Sequence, residues 1–314
     1  MEHSSDAVPA AATDRFTRMP ELEGVRHRFL DLPGLRLHVA EVGAGEPVLL
    51  LHGALQHWWA WRGVLPGLAA KYRVLAPDLR GCGWTDAPAT GYTRDRMTAD
   101  LVAALDASGV GAVRLVSTDM GVLPGYALCY DHPDRVIAHV AIGVPPPSMK
   151  VGLRHMAAFL PLWHQEVGAI PGLGPVLFGR GGQGLARHML LDFSPDRNPL
   201  DPDEVAGYLA RLRLPGRARA VSAQFRHLVL PELVRIATGR YRRARLRTPT
   251  LVLAGSADRS FPPVMVEDLV RTTAPHVDHV EIGVAQGAAH YVAQERPQQL
   301  LGDLLRFFAE APAR

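Results

Sequence analysis

Leu115-Val116-Ser117-Thr118-Asp119-Met120-Gly121 is an apolar run that closes on a small residue, a central aspartate and a second small residue. A helix-forming stretch, Val122 to Tyr130, follows directly. Small side chains two before and two after Asp119 permit a sharp, strained turn from strand to helix. Such a turn lifts the Asp119 side chain above the carboxyl end of the strand. It also leaves the next backbone N–H, from Met120, at the positive end of the helix.

The flanking sequence supplies a sheet for this turn. Arg26 to Leu30 and Leu35 to Val39 straddle Pro33-Gly34 and read as a hairpin. Pro47 to Leu51, Tyr72 to Ala76, Val113 to Val116, Val136 to Ile142 and Thr250 to Ala254 are short apolar runs, the mark of strands buried on both faces. Helical stretches such as Asp95 to Ala107 lie between them, which predicts an α/β fold with a mostly parallel central sheet flanked by helices. Residues 145 to 246 break the rhythm. They open on Pro145-Pro146-Pro147, carry Gly-rich loops from Gly172 to Gly184, and hold helical stretches around His155, Asp203 to Leu212 and Ala218 to Leu230. The expected organisation is a flexible segment over 1–22, a core made of 23–144 and 247–314, and an inserted helical cap over 145–246.

Composition narrows the classes of function. A chain of 314 residues with 47% hydrophobic content has a sizeable core, and large α/β folds reach this length as one domain. No apolar run reaches the ~20 residues needed to span a bilayer. The N-terminal MEHSSDAVPAAATDRF lacks the apolar core of a secretion signal, so a cytoplasmic location is expected. Cys82 and Cys129 are the only cysteines, too few for a disulfide framework or a thiol metal cage. A net charge of +3 gives no footprint for nucleic acid. The arginines from Arg235 to Arg247 read as a solvated basic face, the alternative being attraction of an acidic substrate or carrier.

Taken with four further motifs, the turn at Asp119 resembles the nucleophile elbow of α/β-hydrolases, in the branch whose nucleophile is aspartate. Leu50-Leu51-His52-Gly53-Ala54 resembles the oxyanion turn, Pro77-Asp78-Leu79-Arg80-Gly81-Cys82-Gly83 the Asp-x-Arg-Gly-x-Gly loop, and Gly255-Ser256-Ala257-Asp258 the acid turn. Gly287-Ala288-Ala289-His290, with Gln294-Glu295 and Pro297, resembles the histidine segment. The five occur in the family's order from Val25 onward. The resemblance implies the α/β-hydrolase fold and is greatest to epoxide hydrolases, less to haloalkane and haloacetate dehalogenases.

The residue types fit that chemistry. A carboxylate is ionised at neutral pH and attacks an electrophilic carbon without losing a proton, forming an ester. Hydrolysis of the ester needs a base: His290 is the expected one, with Asp258 fixing its tautomer. Backbone N–H groups of Ala54 and Met120 are the expected oxyanion donors. Each residue has a plainer reading: Asp119 as a helix N-cap, Asp258 as a turn residue, His290 as a structural histidine. His52 is expected to hold its loop by hydrogen bonds. His57, Trp58, Trp163, Tyr208 and Phe225 are expected at the substrate pocket, whereas His155, His164 and His188 lack ligand spacing and read as surface or cap structure.

The sequence also departs from the family. Pro215-Gly216-Arg217-Ala218-Arg219-Ala220 leads to Phe225-Arg226, where epoxide hydrolases carry the Tyr-Arg of a ring-opening tyrosine. Leu55 takes the place of the usual proline after the oxyanion turn. Ala54 and Met120 stand where haloalkane dehalogenases place Asn and Trp, and Leu160-Pro161-Leu162-Trp163-His164 does not reproduce the haloacetate His-Trp pair. The expected function is epoxide-hydrolase-like hydrolysis of a small, hydrophobic electrophile, with no cofactor or metal, by a monomer or homodimer. The rivals are a non-hydrolytic cyclase, isomerase or lyase using Asp119 and His290 as acid and base, and a ligand-binding protein with a retained pocket.

Overall fold

A computed structural model describes residues 18–152, 155, 160–191 and 200–311. Expectations for residues 1–17 and for most of the stretch around His155 fall outside the described residues. The eight strands are β1 (Arg26–Leu32), β2 (Leu35–Val42), β3 (Glu46–Leu51), β4 (Tyr72–Pro77), β5 (Val113–Thr118), β6 (Val136–Ile142), β7 (Thr250–Gly255) and β8 (Val280–Ala285). They form one sheet in the order β1-β2-β4-β3-β5-β6-β7-β8. β1 and β2 are the predicted hairpin, and β2 also pairs antiparallel with β4; every other pairing is parallel. β5, β6 and β7 are buried along their whole lengths, as their largely apolar runs lead one to expect, and they take the polar Arg114, Ser117, Thr118 and His139 into the interior with them.

β8 was not singled out in the sequence. Val280–Ala285 is only partly buried at the sheet edge, and its Glu281 and Gly283 interrupt the apolar signature. Apolar layers cover both faces of the sheet. One holds Leu49, Leu51, Leu115, Met97, Leu101 and Met120; the other holds Val48, Leu50, Val116, Trp58, Trp61 and Phe307. The alternation of Leu49 and Leu51 against Val48 and Leu50 is the period-2 pleat dividing one strand between two layers. Helix α1 (Arg94–Ala107) lies before β5, and α2 (Val122–Asp131) runs from the Asp119 turn toward β6.

Between β6 and β7 the described chain is helical: α3 (His164–Ala169), α4 (Leu173–Gly179), α5 (Gly184–Leu191), α6 (Pro202–Leu212), α7 (Arg217–Gln224), a π turn over Phe225–Val229, and α8 (Leu230–Ala237). The expected Gly172–Gly184 loop is corrected here, because α4 occupies much of it. A Cβ added at Gly174 would stand 2.0 Å from Gly168 O, so this glycine serves close packing of α3 on α4. In the basic stretch, Arg245 pairs with Asp278, and Arg235 lies 3.3 Å from buried Glu232. No helix among the described residues is long and apolar enough to cross a membrane.

Candidate active site

Asp119 leaves β5 with φ +48°, a left-handed conformation that L residues adopt only under constraint. The constraint is close packing behind it. A Cβ on Gly121 would stand 2.4 Å from His52 O, so only glycine lets the start of α2 press against the end of β3. The His52-Gly53-Ala54 turn then meets the aspartate. Ala54 N donates to Asp119 Oδ2 at 2.7 Å, and the Met120 N–H is directed at the same carboxylate.

The turn itself is held by His52, whose Nε2 accepts from Leu79 N at 3.0 Å while Nδ1 lies 2.8 Å from Gly53 O. One ring nitrogen accepts and the other donates, so the neutral tautomer is fixed, and burial holds the pKa below the ordinary histidine value. Leu55 follows at φ +65°, which a proline ring cannot adopt. The departure from the family at this position is therefore a difference of backbone path as well as of side chain.

His290 and Asp258 arrive from the loops after β8 and β7. Asp258 Oδ1 accepts from Ser260 N at 2.8 Å and Phe261 N at 3.1 Å, and its Oδ2 lies 3.0 Å from His290 Nδ1. His290 Nε2 faces Asp119 Oδ1 at 3.7 Å. Burial opposes a charge on this ring, but attraction to Asp258 and hydrogen bonding with Asp119 and Asp258 outweigh it, raising the His290 pKa well above the usual range. Burial likewise opposes ionisation of Asp119 and Asp258. In both, the His290 charge and hydrogen bond, with backbone N–H donors, prevail and hold the carboxyl below its ordinary pKa. Both carboxylates therefore favour the protonated form of the ring, and the ring favours the ionised form of both carboxylates.

Two cavities meet at Asp119. One is polar, lined by Ala54, His164, Gln165, His290 and Tyr291; the other is apolar, lined by Met120, Leu123, Val144, Met149, Phe225 and Val229 among others. Leu162, Gln165 and Phe261 line both.

Of the side chains expected at the pocket, Phe225 is there and four lie elsewhere. Trp58 is fully buried in the other apolar layer, because the extended His57 turns it into the sheet. His57 borders a separate cleft with Trp59, Trp84 and Arg62. Tyr208 is fully buried, its hydroxyl committed to Glu204 Oε1 at 2.9 Å. Trp163 is 49% exposed and stacks obliquely on His188 at 5.1 Å. His164, read from sequence as surface or cap structure, starts α3 between β6 and β7, is 3% exposed and borders the polar cavity. Gln165 and Tyr291 were missed altogether; adjacency of Tyr291 to His290 was the one local signal available.

A family model described as the alpha/beta hydrolase fold matches residues 46–169. The soluble epoxide hydrolase of Corynebacterium sp. is 27% identical over 304 residues, covering 91% of this chain and 98% of that protein. Epoxide hydrolase A of Mycobacterium tuberculosis is 31% identical over 320 residues, covering 89% and 96%. The crystal structure of an epoxide hydrolase from Vigna radiata aligns with a TM-score of 0.76 at 27% identity, over 93% of this chain and 100% of that one. Sequence, sheet order and relatives agree: this chain belongs to the α/β-hydrolase superfamily and is epoxide-hydrolase-like.

Proposed function

We propose that the protein hydrolyses a small, hydrophobic epoxide through a covalent ester on Asp119, with His290 as the base and Asp258 as its orienting partner. The observation that carries this reading is the Asp119 carboxylate, held by the Ala54 and Met120 N–H groups and facing His290, with an apolar cavity beside it. Helices between β6 and β7 contribute Leu162, His164, Gln165 and Phe225 to the cavities, which supports a lid role for 145–246.

In the first step Asp119 Oδ1, the oxygen not bonded to Ala54, attacks a ring carbon, and the carbon–oxygen bond on the far side breaks. The ester that forms carries no charge. His290 thereby loses one of the two carboxylates that raise its pKa, and its ring proton is given up, through solvent, to the ring-opened alkoxide, which becomes a hydroxyl. Ester formation thus prepares the base for the second step. Neutral His290 takes a proton from water as that water attacks the ester carbonyl. The oxyanion that develops is held by Ala54 and Met120 N–H, already placed at this carboxyl group. On collapse the proton on His290 passes to the departing alkoxide, the carboxylic acid left on Asp119 returns its proton to His290, and the diol leaves with the carboxylate and imidazolium restored.

The test is His290→Gln incubated with an aryl epoxide, followed by mass spectrometry of the Asp119 peptide. The expected result is a stable adduct of epoxide mass; full activity of Asp119→Asn would overturn the reading. A second reading draws on Phe225, which brings no hydroxyl to the cavity: Asp119 and His290 then exchange protons with a substrate that is cyclised or isomerised. That reading predicts turnover without oxygen-18 from labelled water entering product or Asp119.

A further inference from the structure

We propose that the cleft walled by His57, Trp59 and Trp84 is a binding site apart from Asp119, taking an aromatic amine with a hydrogen-bond acceptor at the end remote from its ammonium group. The cleft has a volume of about 330 Å³, in the range of small-molecule sites. Among the described residues, none that lines it also lines the two cavities at Asp119. Nothing in the proposal depends on an ester forming there.

His57 is the innermost part of this wall, only 5% exposed. Trp59 N donates to its Nδ1 at 3.3 Å, so that nitrogen is the acceptor of the ring. Burial depresses the His57 pKa to about 3, which leaves the ring neutral. The one ring proton therefore sits on Nε2, where it meets no hydrogen-bond acceptor among the described residues. A buried donor of this kind calls for an acceptor from outside the chain. Trp59 and Trp84 are half-buried, and Asp201 and Asp203 are exposed. Outward, the cleft passes from a donor through two indoles to carboxylates.

Charge sets the direction of the ligand. Arg62 holds Glu204 by two contacts, at 2.7 and 2.8 Å, and so neutralises it. Of the other charges on the lining, Asp201 and Asp203 outnumber Arg18, which draws a cation to the mouth. Arg62 and Arg211 stand over the Trp59 and Trp84 rings at 5.6 and 4.3 Å. They keep the positive end of a ligand at the mouth and leave its apolar ring to the indoles. Gly207 gives an independent sign that the space is kept open. It lies inside α6, where glycine is among the poorest helix formers. A Cβ there would meet nothing within 4 Å, so packing does not demand a glycine. Any side chain at this position would stand in the cleft that Gly207 lines.

The probe is tyramine, whose phenol oxygen, ring and ammonium match the three levels of the cleft, titrated calorimetrically into the full chain. Saturable one-to-one binding is expected, and with equal affinity in Asp119→Asn, because the site lies elsewhere. Gly207→Leu fills the cleft without a clash and is expected to weaken binding by about tenfold or more. Asp201→Asn keeps the cap of α6 while removing a charge, and is expected to weaken binding most at low salt. Phenethylamine, which lacks the oxygen, is expected to bind the wild type about tenfold less tightly than tyramine, and His57→Phe as tightly as tyramine does. Absence of saturable tyramine binding would overturn the proposal. So would equal affinity in the wild type and in a Gly207→Leu chain of the same melting temperature, or equal affinity of the wild type for the two amines.

Discussion

Protonation of His290 is set by its two neighbours, and that coupling is measurable. Asp119→Asn removes one charge while keeping the shape of the carboxyl group, and so imitates the ester. The His290 pKa, followed by NMR of the ring protons, is expected to fall in this variant, because one adjacent carboxylate charge is gone. An unchanged titration would mean that Asp258 alone sustains the imidazolium. The residues of this constellation were legible because each sits in a short segment whose backbone is locally constrained: a strand end with small flanks at Asp119, a turn at Asp258, a glycine-led segment at His290. His164 offered no such signal. Its place beside the polar cavity depends on how α3 lies over the sheet, a tertiary fact that a lone histidine in an apolar stretch does not announce.

At the scale of elements, α6 communicates with the oxyanion turn through hydrogen bonds. Arg62 grips Glu204 of α6 by two contacts, at 2.7 and 2.8 Å, and Gln294 Nε2 donates to the same carboxylate at 2.8 Å. Gln294 Oε1 accepts from Gln56 Nε2 at 2.9 Å, and Gln56 Oε1 accepts from Gly53 N at 3.1 Å, next to the Ala54 donor. Gln294→Leu cuts this relay midway. Small displacements of a catalytic group cost up to about 10²-fold, and the expected loss falls on ester hydrolysis rather than ester formation. Single-turnover traces would show the adduct rising at the parental rate and decaying more slowly; equal slowing of both phases would tell against the relay. Strands of the core were legible from largely apolar runs, whereas β8 was not, because a partly exposed edge strand tolerates Glu281 and Gly283. Glycines misled in α4 for a related reason: helices packed at close quarters use the same residue as loops do.

For the molecule as a whole, buried histidines govern stability in mild acid. Burial depresses His57 and His139 to about 3. In the unfolded chain they titrate near 6.5, so the unfolded state binds protons first and stability falls with pH below 6.5. Each such group removes about 1 kcal/mol over the first pH unit. His290 has the opposite sign: its raised pKa stabilises fully below 6.5 and ceases to as pH climbs through the folded value. The melting temperature is therefore expected to drop between pH 6.5 and 5.5, before carboxylates protonate, and His139→Gln is expected to flatten that drop. A slope unaltered by the substitution would place the acid sensitivity elsewhere. Fold class was legible from the alternation of strands and helices, while pairing of the hairpin with β4 and the placing of the pocket walls depend on distant contacts. The division of space around Asp119 has a last consequence. With a greasy chamber to one side and a hydrophilic one to the other, a chiral epoxide and its mirror image cannot present the same carbon to the carboxylate with equal ease. Under the covalent reading, backside attack inverts whichever centre is struck, so this pocket is built to discriminate handedness, consuming one enantiomer of a racemate ahead of the other.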